Sequence, residues 1–139
     1  MASAVRIVIL DDPLLSAADR LSLAELSHAV HPPDTPPNPV TAGLEWADAT
    51  IRAMAWQEER MVCHVGALIR AAVTEGRAVE VGGVGEVMTA PDVRRRGYAT
   101  ATLGTMSRHL IDLRQVSFLM LLRARSPRLL RKAGLAVVR

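Results

Sequence analysis

Residues 91–100 read Pro91-Asp92-Val93-Arg94-Arg95-Arg96-Gly97-Tyr98-Ala99-Thr100, and the fold turns on them. Upstream, Val84 to Thr89 is rich in β-forming residues. Downstream, Ala99, Leu103, Met106, Leu110 and Leu113 recur at helical spacing and predict a helix over Gly97 to Arg114. A strand thus runs into a short turn that opens a helix. The first N–H groups of such a helix lack internal acceptors and carry the positive end of its dipole. That terminus can bind a phosphate or pyrophosphate through backbone alone. Gly97 lets the backbone approach an anion closely, and Ala99 is small enough to keep the approach open. Arg94, Arg95 and Arg96 add charge where a polyanion would land.

Toward the N-terminus, Val5 to Leu10 reads as a first strand. Leu14, Ala17, Ala18, Leu21 and His28 then fall on one helical face, with His28 a dipole partner or plain surface at its end. His31 to Val40 holds five prolines in ten residues, which excludes helix and central strand. Strands come next at Thr50 to Trp56 and Met61 to Val73, joined by a polar turn at Gln57 to Arg60. Thr74-Glu75-Gly76-Arg77 is a hairpin signal. Ala78 to Val81 and Val84 to Thr89 are separated by Gly82-Gly83, either a tight turn or a bulge within one strand. Such short connections imply antiparallel pairing.

Toward the C-terminus, Val116 to Leu122 reads as a buried strand. Ser126 and Pro127 open a short helix to Ala133, Gly134 stops it, and Leu135 to Arg139 begins another strand. The expected class is α/β: one domain over residues 1–139, a mixed sheet with helices on its faces.

Composition narrows the function. Cys63 is the one cysteine, so no internal disulfide can form and a cytoplasmic location is expected. No apolar run approaches the length of a membrane span, so no membrane partner is expected. The net charge of +3 hides an asymmetry. Residues 1–93 carry six arginines against thirteen acids, whereas residues 94–139 carry ten arginines and Lys132 against Asp112 alone. A nucleic acid or a phosphorylated cofactor would suit the basic half. Nucleic-acid binding needs stacking aromatics among the arginines, and only Tyr98 is there, so no nucleic-acid partner is expected.

The pattern Arg94-x-x-Gly97-x-Ala99, after a strand and Pro91, resembles the pyrophosphate motif of GNAT acyltransferases, and the element order extends that resemblance from Val5 to Val138. Met54-Ala55-Trp56 through Gly66-Ala67-Leu68, with the Gly76-Arg77 hairpin, is loosely similar to aminoglycoside 2′-N-acetyltransferases and nodulation-type acyltransferases. The resemblance implies a mostly antiparallel sheet splayed between two parallel strands, here Val84 to Thr89 and Val116 to Leu122, with helices on both faces. It implies acetyl-CoA as cosubstrate and no metal. The pyrophosphate would lie at Arg94, Arg95, Arg96, Gly97, Tyr98, Ala99 and Thr100, and the pantetheine amides along Val87, Met88 and Thr89.

The chemistry this resemblance implies is transfer of an acetyl group to a primary amine of a small molecule or peptide. Glu86 is the best-placed carboxylate to accept the amine proton. The family's glutamate often stands one residue earlier, where this chain has Gly85, and a shift of one turns a side chain to the other face unless a bulge intervenes. Glu86 is therefore either a base on a bulge or a surface glutamate. Glu80 and His64 are lesser candidates, and His64, in an apolar run, reads as a hydrogen-bonded core histidine. The tyrosine that protonates the departing thiolate in the family falls at Leu130, so that role is vacant. The alternative function is a non-catalytic CoA-ester-binding domain. Only Leu135 to Val138 succeeds the short helix before the chain stops at Arg139, and a sheet left short there would expose an edge. A homodimer through the last two strands is the expected cover.

Overall fold

The computed structural model describes residues 4–36 and 48–121. The expected helix at Pro127 to Ala133, the strand from Leu135, Leu130 and the end of the proline-rich loop lie outside them. Among the described residues five strands form one sheet: β1 (Arg6–Asp11), β2 (Ile51–Gln57), β3 (Arg60–Thr74), β4 (Arg77–Thr89) and β5 (Phe118–Leu121). They lie in sequence order, antiparallel except for the parallel β4–β5 pair. Helix α1 (Ala17–Val30) and helix α2 (Tyr98–Arg108) accompany the sheet in a mixed α/β fold.

α1 begins at a reciprocal cap. Ser16 Oγ accepts from the Asp19 N–H and an Asp19 carboxylate oxygen accepts from the Ser16 N–H, both at 3.0 Å. It ends where Pro32 and Pro33 cannot continue the ladder. The buried face of α1 is not the one expected. Leu14 lies outside the helix and Leu21 faces solvent, as do Ala17, Ala18 and His28. Leu23, Leu26 and Val30 face the sheet instead.

The β3–β4 hairpin turns at Glu75 and Gly76, whose φ values of 50° and 74° give two left-handed residues in succession, the geometry that matches strand twist. β4 then runs unbroken through Gly82-Gly83, which are neither a turn nor a bulge and pair with Ile69 and Leu68. Gly82 is small because the neighbouring strand β5 and the turn after α2 pack close. A Cβ there would meet Leu119 at 2.8 Å and Leu110 at 3.2 Å.

The irregularity comes later. His64 pairs with Met88 and Gly66 with Gly85, so Val65 alone faces Glu86 and Val87. Glu86 is the bulged residue, at φ 49°.

α2 lays Leu103 and Met106, and the turn after it Leu110, on the sheet against Ile51, Ala53, Val65, Ala67 and Val84. Its hydroxyls Thr102, Thr105 and Ser107 each donate to a carbonyl one turn back, at 2.7, 2.8 and 2.8 Å, which satisfies the two that are buried. After Arg108 the chain widens into a π-turn, His109–Leu113. The wider turn moves Leu113 off the buried stripe, and it is 73% exposed rather than the last member of that face. β5 likewise starts later, at Phe118, and is less covered than the buried strand expected from Val116. Val116 is buried ahead of it, but Phe118 and Met120 are exposed while Leu119 and Leu121 face α2.

Candidate functional site

At the start of α2 the chain runs from β4 through a 3₁₀ turn, Pro91–Val93, into Arg94, Arg95, Arg96 and Gly97. Arg95 and Gly97 both take left-handed backbone, at φ 66° and 83°. The first intrahelical bond is Ala101 N–H to Gly97 O at 3.0 Å, so the N–H groups of Tyr98, Ala99 and Thr100 have no helical acceptor. No atom lies within 4 Å of where a Gly97 Cβ would stand. A cradle of backbone donors is open there, and Arg94, Arg95 and Arg96 are exposed around it. The donor set fits a pyrophosphate. Arg60 grips Asp92 from β3 and holds its carboxyl down to about 2, which fixes the 3₁₀ turn beneath the cradle. Tyr98 turns its ring into the core beside Met54, Cys63, Met88 and Val93, where its buried hydroxyl has no partner among the described residues.

The edge of β4 leads away from this cradle. Its pairing with β5 covers Val81 to Val84 and, among the described residues, goes no further. Ala90 N–H donates to Val62 O at 2.9 Å, so Ala90 addresses β3. Alternation along the strand then turns Met88 to β3 as well, and the backbone groups of Val87 and Thr89 to the open side. The Arg94 Nε–H reaches the Thr89 carbonyl at 3.4 Å, from the open side. Among the described residues no strand pairs with Val87 or the Thr89 N–H on that side, an edge that can take an extended amide-bearing chain, while the Thr89 carbonyl already accepts from Arg94. Met88 contributes its side chain to the core instead.

The bulge decides where Glu86 points. In an unbroken strand it would share a face with Val84, toward α2. Instead a Cβ built at Gly66 would stand 3.4 Å from the Glu86 Cβ and 3.4 Å from His64 Cε1, so Glu86 faces the α1 side with His64. Arg52, on β2, closes the group. Its Nη1 donates to Glu86 Oε2 at 3.0 Å and contacts His64 Nε2 at 3.2 Å, while its Nε donates to Asp12 Oδ1 at 2.7 Å. His64 Nδ1 lies 2.8 Å from the Glu86 carbonyl. Arginine cannot accept and a carbonyl cannot donate, so His64 carries its proton on Nδ1 and is neutral. Burial pushes its pKa down, consistent with that state. The hydrogen bond from Arg52, helped by Arg20, holds Asp12 below the usual carboxylate range. His64 is fully buried, with both ring nitrogens used, and is a core histidine rather than a base. Glu80 lies on the outer part of the β3–β4 hairpin, across from Ala71, away from this group.

Asp12 and Arg52 join the site although sequence reasoning misses both. Arg52 leaves a signal: it is the one charge in Ile51–Gln57, a strand otherwise buried or half-buried. Asp12 leaves none, because only the antiparallel pairing of β1 with β2 brings it beside Arg52. Among the described residues no three or more His, Cys, Asp or Glu side chains gather as a metal site would require, and no described helix is long and apolar enough to cross a membrane.

The sequence matches the acetyltransferase (GNAT) domain family over residues 25–138. No curated protein sequence matches it significantly. The fold is similar to an aminoglycoside N-acetyltransferase solved in complex with CoA, at 15% identity and TM-score 0.69, over 100% of this chain and 92% of that one. It is also similar to a ribosomal-protein-alanine N-acetyltransferase from Brucella melitensis biovar Abortus, at 22% identity and TM-score 0.63, over 97% and 93%. A Trypanosoma brucei acetyltransferase shares 18% identity at TM-score 0.68, over 98% and 95%. These likenesses establish fold, and the family match carries the activity. The chain belongs to the acetyltransferase (GNAT) family and is an acyl-CoA-dependent N-acetyltransferase acting on an amine.

Proposed function

We propose that this enzyme moves an acetyl group from acetyl-CoA to a primary amine of a small molecule or peptide, with Glu86 as general base. The observation that carries this reading is the bulge, which turns Glu86 to the α1 side while leaving Val87 and Thr89 open on the strand edge. The amides of Tyr98, Ala99 and Thr100, with Arg94, Arg95, Arg96 and Gly97, receive the pyrophosphate, and Val87 and Thr89 pair with the pantetheine. Glu86 accepts a proton as the amine nitrogen bonds to the acetyl carbon and the carbon–sulfur bond breaks. Water protonates the thiolate, given Leu130 at the family's tyrosine position.

The protein works in the cytoplasm, where Cys63 stays reduced, and neither nucleic acid nor membrane takes part. It acts as a homodimer through β5, whose Phe118 and Met120 are 43% and 58% exposed. Light scattering at micromolar concentration tests this, and a monodisperse species near 15 kDa rules it out.

A second reading, a CoA-ester-binding domain without turnover, draws on the Arg52–Glu86 ion pair, which occupies the would-be base. Thiol release from acetyl-CoA, measured against aminoglycosides, polyamines and peptide N-termini, separates the two. Release with at least one amine supports the enzyme. CoA binding without release from any of them supports the binding domain.

A further inference from the structure

Glu86 sits at φ 49° on a bulge, and its side chain is 43% exposed. Left-handed backbone costs a non-glycine residue about 1–3 kcal/mol and persists only where neighbours over-determine it. A half-exposed glutamate also keeps rotamer freedom that a fixed base must lose. Something holds this residue in place.

The neighbours form a closed ring of hydrogen bonds. Arg52 Nη1 donates one hydrogen to the Glu86 carboxylate and the other to His64 Nε2, and His64 Nδ1–H returns to the Glu86 carbonyl. The ring therefore grips both the side chain and the backbone of one residue. Its two other members are the buried ones: His64 is fully covered and the Arg52 side chain is 11% exposed. On the far side, Asp12 takes Arg52 Nε at 2.7 Å, and Asp12 is itself anchored by its N–H to Thr50 O and by Arg20. Gly66 leaves the space the ring occupies. With Nε and both Nη1 hydrogens engaged, Arg52 is committed to this framework rather than to a substrate.

We propose that Arg52, oriented by neutral His64 and by Asp12, is the positioning residue that fixes the Glu86 carboxylate for amine deprotonation. The proposal rests on Glu86 acting as the base. Lysine cannot replace the guanidinium fully, because its single nitrogen does not span three acceptors in one plane.

The test compares wild type, R52M, R52K, E86Q and R52M/E86Q, using acetyl-CoA and an amine that the wild type acetylates. R52M is expected to lower kcat about 10- to 100-fold with the KM for acetyl-CoA within about twofold, and R52K to recover part of the loss. In the E86Q background R52M is expected to change kcat by less than about twofold, since the group it positions is gone. An equal loss in both backgrounds, or a loss confined to KM, overturns the proposal. If R52M does not fold, R52K and R52K/E86Q are read by the same criterion. A crystal structure of R52M, or of R52K in that case, gives a readout free of turnover. The Glu86 carboxylate is expected to leave its place beside Gly66 and His64, and a carboxylate that stays put overturns the proposal. If the wild type acetylates no amine, the proposed function fails, and the crystal structure alone decides the positioning.

Discussion

Arg60 donates two hydrogen bonds to Asp92, 2.8 Å from Nη1 and 2.6 Å from Nη2, and so ties the start of β3 to the turn that leads into α2. Both side chains are more than half exposed, and exposed pairs contribute little. R60M is therefore expected to weaken CoA binding only about two- to fivefold. Asp92 has its carboxyl lowered from 3.8 to about 2, so the contact is fully present above 3.8 and is lost as pH falls through about 2. Calorimetric CoA titrations of R60M and wild type should differ by a constant factor between about pH 6 and 8. A factor that changes with pH would contradict this.

Gly97 is the position where a side chain should hurt binding most. Its φ of 83° strains any β-branched residue by about 1–3 kcal/mol, yet a Cβ there meets no protein atom. Gly97→Asn, which tolerates left-handed backbone, should fold normally and still lose at least about tenfold in CoA affinity. Gly97→Val should lose stability as well. An Asn variant that binds CoA like the parent would remove the pyrophosphate from this cradle.

Glu86→Gln keeps the shape and the bulge while removing the proton acceptor. Turnover is expected to fall about 10²- to 10⁴-fold with CoA affinity little changed. Activity within a few-fold of the parent would return Glu86 to a surface role.

His64 gives a pH dependence of stability. Burial, with Arg52 adding to it, holds the folded pKa below the unfolded 6.5. Between those values the unfolded chain binds a proton that the folded chain does not, so this stabilisation is full above about 6.5 and is lost as pH falls through the folded value. His109, also lowered by burial, acts in the same direction. Urea midpoints should fall from pH 7 to pH 5, and H64Q should flatten that slope without abolishing it. An unchanged slope in H64Q would show that the fold does not depend on a neutral His64.

Gly66→Ala tests the packing around the site. The new Cβ would stand 2.8 Å from the Cβ of Ala49, an atom fixed to backbone, so something must shift. Overpacking of this kind costs about 1–3 kcal/mol, readable in urea unfolding. A loss below about 0.5 kcal/mol would mean that the loop ahead of β2 yields freely.

The order of the strands and helices among the described residues, the hairpin at Glu75-Gly76 and the glycine-led start of α2 are legible in the amino-acid sequence alone. Each depends on neighbours a few residues apart, where period, capping and turn chemistry act. The open backbone turn at the start of α2 is legible for the same reason, since a helix terminus and a left-handed glycine are local objects. Long-range packing settles the rest. Which apolar stripe of α1 is buried depends on the sheet it meets. Whether Leu113 stays on the α2 face depends on a π-turn that no periodicity marks. The face of Glu86 depends on one extra residue in β4, whose location is set by pairing across to His64 and Gly66. The ring of Arg52, His64 and Glu86 joins three strands, with separations of 12, 22 and 34 residues. Hydrogen bonds over such distances exist only after the sheet has formed, so no local pattern could have announced them.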